Sequence, residues 1–172
     1  FWIRTPAAGR INIFDHSWYD ELFETCATEN KISRKVLSMI DDVNVFEEQL
    51  YENGELIIKF FLHISRDEQK KRIKSLLHSQ SEKWKVEERD PKQNQDYERY
   101  MKGFERIMEK TDTQSRWNVI SSQDKKSAAF QIVKTVASEL EQAVLGRETA
   151  VQVKKNIVIN SETVNSAILD ST

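Results

Sequence analysis

The chain has 172 residues, 38% of them hydrophobic, which suits one domain with a real core and a short appendage. Its 26 basic and 28 acidic side chains leave a formal charge of −2, so no global field points to nucleic acid or a membrane, and neither is expected as a partner. The single Cys26 excludes an internal disulfide framework, and His16, His63 and His78, scattered and without cysteine partners, speak against structural zinc. No apolar run approaches the ~18 residues of a membrane span, and a reducing cytoplasm is the expected compartment.

In chain order, Ile11 to Phe14 reads as a short buried strand ending in Asp15, followed by a helix from Ser17 to about Cys26. Val36, Leu37, Ile40, Val43, Phe46 and Leu50 recur at helical spacing, and Asn53-Gly54 closes that second helix. Leu56 to Leu62 is a near-continuous apolar run bounded by a turn, the pattern of a strand buried on both faces of a parallel sheet. Ser65 caps the next helix, whose narrow apolar stripe of Gln69, Ile73, Leu76 and Leu77 runs between basic residues. From Ser79 to Gln95 the chain turns polar, with Trp84 in a charged field, and predicts a mobile excursion above the sheet. A helix from about Asp96 to Lys110 leads to a last strand at Trp117 to Ile120. Asp124 opens a long amphipathic helix with apolar residues from Ala128 through Val133 to Val144 inward, and the alternation of strands and helices makes the fold α/β. Beyond Gly146 the apolar mass thins, and residues 147–172 read as a linker.

Three groups carry candidate chemistry. An acid at the carboxyl end of a parallel strand, the place of Asp15, is where a P-loop enzyme holds a magnesium-bound phosphate; the plainer role is a helix cap. Lys59 stands inside an apolar strand, so it needs a partner or an anion to offset its desolvation, unless its ammonium snorkels to the sheet end. Arg72 lies on the following helix with Lys70, Lys71 and Lys74, a run that by itself reads as a solvated face. No G-x-x-x-x-G-K-[ST] occurs, and glycine at positions 9, 54, 103 and 146 is too sparse for a phosphate-cradling loop. The chain opens on Phe1-Trp2-Ile3 without methionine, which suggests an excerpt of a P-loop-like domain whose first strand and nucleotide loop lie upstream.

The stretches Pro6 to Tyr19, Asn44-x-Phe46-Glu47-x-x-Leu50, Gly54 to Ser65, Glu68-Gln69-x-x-Arg72, Lys83-Trp84-Lys85 and Asp124-Lys125 together resemble the polyphosphate kinase 2 family, over roughly residues 1 to 145. The resemblance implies a thymidylate-kinase-like P-loop kinase fold, a parallel sheet with helices on both faces, whose amino-terminal strand and Walker A loop are missing from this chain. It implies phosphoryl transfer between inorganic polyphosphate and a nucleotide with Mg²⁺. Asp15 corresponds to the Walker B-like acid, catalytic or vestigial, that orients the Mg²⁺. Arg10, Lys59, Arg72, Lys83, Lys85, Arg89 and Lys125 fall at phosphate-binding positions, with residues 79–95 as a lid. His63 follows the strand in the same pattern and reads as a core histidine.

The departures point the other way. Where the family has Phe-Asp-Arg-Ser-Trp-Tyr followed by Gly-Arg, this chain has His16 for the first arginine and Asp20-Glu21 for the Gly-Arg pair, and Lys83 replaces the lid arginine. Guanidinium forks onto phosphate at any pH, whereas imidazole is mostly neutral near pH 7, and two carboxylates repel polyphosphate. The segment Ser166-Ala167-Ile168-Leu169-Asp170 resembles the opening of another copy of the domain. The expectation is therefore residues 1–146 as part of a first, degenerate copy, and residues 147–172 as a linker or the start of a second. In that reading the parent is a polyphosphate:AMP phosphotransferase and a homo-oligomer, while this copy is non-catalytic, supporting, and inactive alone. A competent kinase domain and a purely structural interaction domain are the alternatives.

Overall fold

Val36, Ile40, Val43, Glu47 and Leu50 lie three or four residues apart and form the buried face of helix α2, Arg34–Glu52. Ser33 starts it by accepting the Val36 N–H on its hydroxyl, and Gly54, at φ +86°, lets the chain turn away after the Asn53 cap. Helix α1, Asp20–Thr28, adds Leu22 and Cys26, one turn apart. The computed structural model describes residues 2–7, 9–15, 17–28 and 33–146. They fall in two units, residues 1–128 and 129–172.

In the first unit, strand β1, Lys59–His63, pairs in parallel with β2, Trp117–Ser121, in register from Lys59 against Trp117 to His63 against Ser121. Parallel neighbours need a long crossover. Here it carries α3, Arg66–His78, α4, Arg89–Gln95, and α5, Tyr97–Thr111. Gly103 and Ile107 are buried on α5, and Cys26 Sγ lies 3.6 Å from the Gly103 carbonyl oxygen. Tyr19, Leu22, Cys26, Val36, Ile40, Val43 and Ile107 form the core, each large apolar side chain contributing about 1.5–3 kcal/mol when fully buried. Rings extend it to the sheet: Phe23 meets Phe104 edge-on at 5.0 Å, and Tyr19 meets Trp117 at 4.7 Å.

Several elements differ from the sequence reading. Residues 11–14 are not a strand: Ile11 and Ile13 are exposed, and among the described residues the sheet has two strands, neither of which pairs with this run. A pattern of apolar residues supplies no ladder; around this run Arg10 N–H donates to the Ala7 carbonyl and the Asn12 side chain, through Nδ2, to the Arg4 carbonyl. β1 begins at Lys59 rather than Leu56, and Leu62 is half exposed rather than buried. Within the polar region 79–95 lie a 3₁₀ turn at Lys83–Lys85 and then α4, elements the sequence reading does not assign. Its far end is pinned by a reciprocal set: Asn94 donates to the Arg66 carbonyl and to Gln69 Oε1, while Arg66 donates to the carbonyls of Asn94 and Gln95.

Helix α6 covers residues 125–146, with Asp124 Oδ1 capping the Ser127 N–H at 2.6 Å. In the second unit the described residues, 129–146, are helical throughout. His16 and the linker at 147–172 lie outside the described residues.

Candidate functional site

Lys59 is turned into the core. Its ammonium donates to Glu47 Oε2 at 2.8 Å, to the Thr111 carbonyl at 2.6 Å and to the Tyr19 hydroxyl at 3.3 Å. The Tyr19 hydroxyl and Trp18 Nε1 donate in turn to Glu47 Oε1, at 2.8 and 3.1 Å. Three donors of the lysine are thus committed inside the fold, and its ammonium does not snorkel to the sheet end: neither ion of the pair has more than 4% of its side chain exposed. Burial, and then the charge of Glu47, hold the Tyr19 phenol well above its ordinary range. Glu47 was missed as a functional neighbour, although a signal was present. It sits in the buried stripe of α2 between Val43 and Leu50, and an acid there requires a cation.

The carboxyl end of the sheet is held by Arg72. Its Nη2 donates to the carbonyls of Ser122 and Gln123 at 2.7 and 3.1 Å, and its Nε to Glu68 Oε1 at 2.8 Å. Ser65 opens α3 by capping the Glu68 N–H. Beside it, the Tyr97 hydroxyl donates to the Ile64 carbonyl at 2.6 Å and therefore accepts from His63 Nε2 at 2.7 Å. This closes the end of β1 against α5.

The predicted lid residues separate into two groups. Lys85 pairs with Glu82 at 2.6 Å, and its bond holds the Glu82 carboxyl below the ordinary range. Lys83, Lys85, Lys125 and Trp84 are exposed. Arg89 lies apart from them, on carboxylates: Glu87 at 2.7 Å, Asp20 at 3.5 Å and Glu24 at 3.8 Å. Burial works against its charge, and the nearby Asp20, Glu87 and Glu24 outweigh this and raise the guanidinium above its usual range.

Asp15 and Arg10 are exposed, Asp15 at a bend. Among the described residues no three His, Cys, Asp or Glu side chains cluster as a metal cage. One accessible carboxylate is the donor set of a cation held mainly by substrate phosphate oxygens, the usual manner of Mg²⁺. Asp15 therefore fits such an ion in part, and a free ion has no other evident holder in the described residues.

A parallel α/β sheet with cations at its carboxyl end is the ground plan on which kinases of the P-loop class handle phosphates. The Polyphosphate kinase 2 family profile matches residues 1–148, and the chain belongs to that family. It is 28% identical over 172 residues to a polyphosphate:AMP phosphotransferase of Pseudomonas aeruginosa, covering 99% of this chain and 35% of that protein. It is 30% identical over 119 residues to an AMP/ADP-polyphosphate phosphotransferase of Meiothermus ruber, covering 68% of this chain and 44% of that one. Its fold matches the crystal structure of polyphosphate kinase 2 from Arthrobacter aurescens TC1 with TM-score 0.71 at 28% identity, over 81% of this chain and 50% of that chain. A putative polyphosphate kinase 2 from Pseudomonas aeruginosa PA01 matches with TM-score 0.76 at 26% identity, over 83% and 31%. The chain thus spans about a third of the length of the first of these relatives.

Proposed function

We propose that this chain is part of a polyphosphate:nucleotide phosphotransferase, moving a phosphoryl group between inorganic polyphosphate and AMP or another nucleotide, and that it forms a supporting copy without catalysis of its own. Family membership and relatives named as polyphosphate:AMP phosphotransferases support the first part. The second rests on one observation: Arg89, a lid cation by the family pattern, is engaged by Asp20 and Glu24, and Asp20 stands where that pattern has glycine. A guanidinium neutralised by carboxylates offers little to a phosphate chain. Lys59, committed to Glu47, the Thr111 carbonyl and the Tyr19 hydroxyl, has no donor left over for a phosphate.

Phosphoryl transfer needs a divalent cation on the phosphates, Mg²⁺ by preference, which Asp15 would orient in a competent copy. A second copy in the same chain supplies catalysis, the assembly is a homo-oligomer, and the compartment is the cytoplasm. Among the described residues no helix is long and apolar enough to cross a membrane.

The test is polyphosphate-dependent ADP formation by the intact protein. Asp15→Asn here should leave nearly all activity, while the equivalent change in the other copy should cost roughly a thousandfold, the scale of losing a metal-orienting carboxylate. A large loss on Asp15→Asn with folding unchanged would make this copy catalytic. The exposure of Asp15, Lys83, Lys85 and Lys125, which leaves all four accessible to a phosphate ligand, favours that second reading.

A further inference from the structure

Arg89 opens α4, and its three carboxylate partners are of two kinds. Glu87 lies on the same excursion, two residues earlier in the chain, so its contact at 2.7 Å ties the segment only to itself. Asp20 and Glu24 belong to α1, one turn apart and therefore on one side of that helix. Their contacts with Arg89 Nη1, at 3.5 and 3.8 Å, are ionic ties from the excursion to α1. These are looser than the 2.7 Å pair, and the side chains retain 35% (Arg89), 41% (Asp20) and 58% (Glu24) of their exposure, so the contact can open without a large desolvation change.

The two ends of the excursion are held differently. Residue 79 closes α3, and Asn94 is buried against Arg66 and Gln69 of α3 through reciprocal hydrogen bonds. Between these two anchors on α3, Arg89 supplies the ionic tie to α1. Trp84, within the span, is 76% exposed and bonds only locally, its Nε1 donating to the Ser81 carbonyl. The span is held to α3 at its feet, where Gln69 Nε2 also donates to Gln93 Oε1 at 3.2 Å, and to α1 through the charged contact of Arg89.

We propose that Asp20 and Glu24 form an electrostatic latch that holds Arg89, and with it residues 80–93, against α1, and that inorganic polyphosphate must displace these carboxylates to recruit Arg89. The ligand rests on the functional reading above; the latch itself rests on the contacts. One guanidinium fork cannot engage a carboxylate pair and a phosphate chain with the same N–H groups, so each weakens the other. The acids of α1 thus act on phosphate in two ways, by direct repulsion and by occupying the cation that would bind it.

Hydrogen exchange on the intact protein tests the latch. Asp20→Asn with Glu24→Gln, and separately Arg89→Gln, should each speed exchange of residues 80–93 by about 2- to 5-fold, the scale of a surface ion pair, and the combined variant should add nothing further. Unchanged exchange would overturn the latch, as would a rise spread equally over α2 and α5, which would mean general loosening. Equilibrium binding of inorganic polyphosphate tests the displacement. The Asp20→Asn, Glu24→Gln variant should bind about 2- to 5-fold tighter, and most of that gain should vanish once Arg89→Gln is added. A gain that survives Arg89→Gln would reduce the acids to plain repulsion and overturn displacement. No polyphosphate binding by any variant would refute the ligand and the functional reading, while exchange would still decide the latch.

Discussion

Lys59 and Glu47 meet at 2.8 Å where neither side chain retains more than 4% of its exposure, joining the first residue of β1 to the buried face of α2. The Thr111 carbonyl, the Tyr19 hydroxyl and Trp18 Nε1 satisfy the remaining valences, so the pair is fully hydrogen-bonded. Removing one partner of such a pair is far costlier than replacing both. Lys59→Met should destabilise the protein by about 3–5 kcal/mol, and the double change Lys59→Met, Glu47→Leu by distinctly less than the sum of the singles. Urea midpoints with unchanged slope check this; additivity would show that the ions do not act as a pair.

The raised Tyr19 phenol gives the alkaline limb a sign. Its pKa in the fold lies above the ordinary 10.0, so the native state keeps a proton that the unfolded chain releases. Its contribution is fully present below pH 10 and declines as pH rises through the interval between the two values. Tyr97, also raised by burial and then by Glu98, acts in the same direction. Stability measured from pH 9 upward should therefore fall, and Tyr19→Phe should flatten that fall while costing about 1–3 kcal/mol at neutral pH, because Glu47 and Lys59 lose a buried partner. An alkaline slope identical in the variant would contradict the assignment.

Arg72 joins α3 to the two residues that follow β2. A lysine there cannot span two carbonyls and Glu68 with one ammonium in the same geometry. Arg72→Lys and Arg72→Ala should each lose about 1 kcal/mol, the modest scale that a partly exposed site allows, and both should expose residues 121–124 to faster proteolysis. Rescue by lysine would mean that charge alone matters. Glu68, whose carboxyl is lowered chiefly by its bond from Arg72, contributes above its ordinary value of 4.5 and loses that contribution as pH falls through its lower folded value.

The 172-residue chain, purified alone, should form no ADP from AMP and polyphosphate above the uncatalysed background. Its sequence has no Walker A motif, and positioning with electrostatic stabilisation accounts for most phosphoryl-transfer catalysis. Turnover sensitive to Asp15→Asn would place catalysis within these residues.

Local chemistry was legible where neighbours in sequence decide the outcome. The spacing of Val36, Ile40, Val43 and Leu50 gave α2 its buried face, Ser65 and Asp124 cap the helices they were read to open, and the apolar runs ending at Leu62 and starting at Trp117 became the two paired strands. The motif series from Pro6 to Lys125 was sufficient to place the chain in its family, because such motifs are read without knowing what they touch.

Partner identity was not legible, because period and propensity say which face a residue occupies and nothing about what lies opposite. Ile11 to Phe14 has the composition of a strand, yet a strand exists only where another supplies the ladder. Lys59 in an apolar run required a counter-charge, and whether that was a phosphate or Glu47 depended on how α2 packs on the sheet. Asp20 announced a charge reversal by itself. That it falls on Arg89 was decided by tertiary packing, which brings the start of α4 beside the start of α1, since a salt bridge needs charges within a few ångströms whatever their separation along the chain.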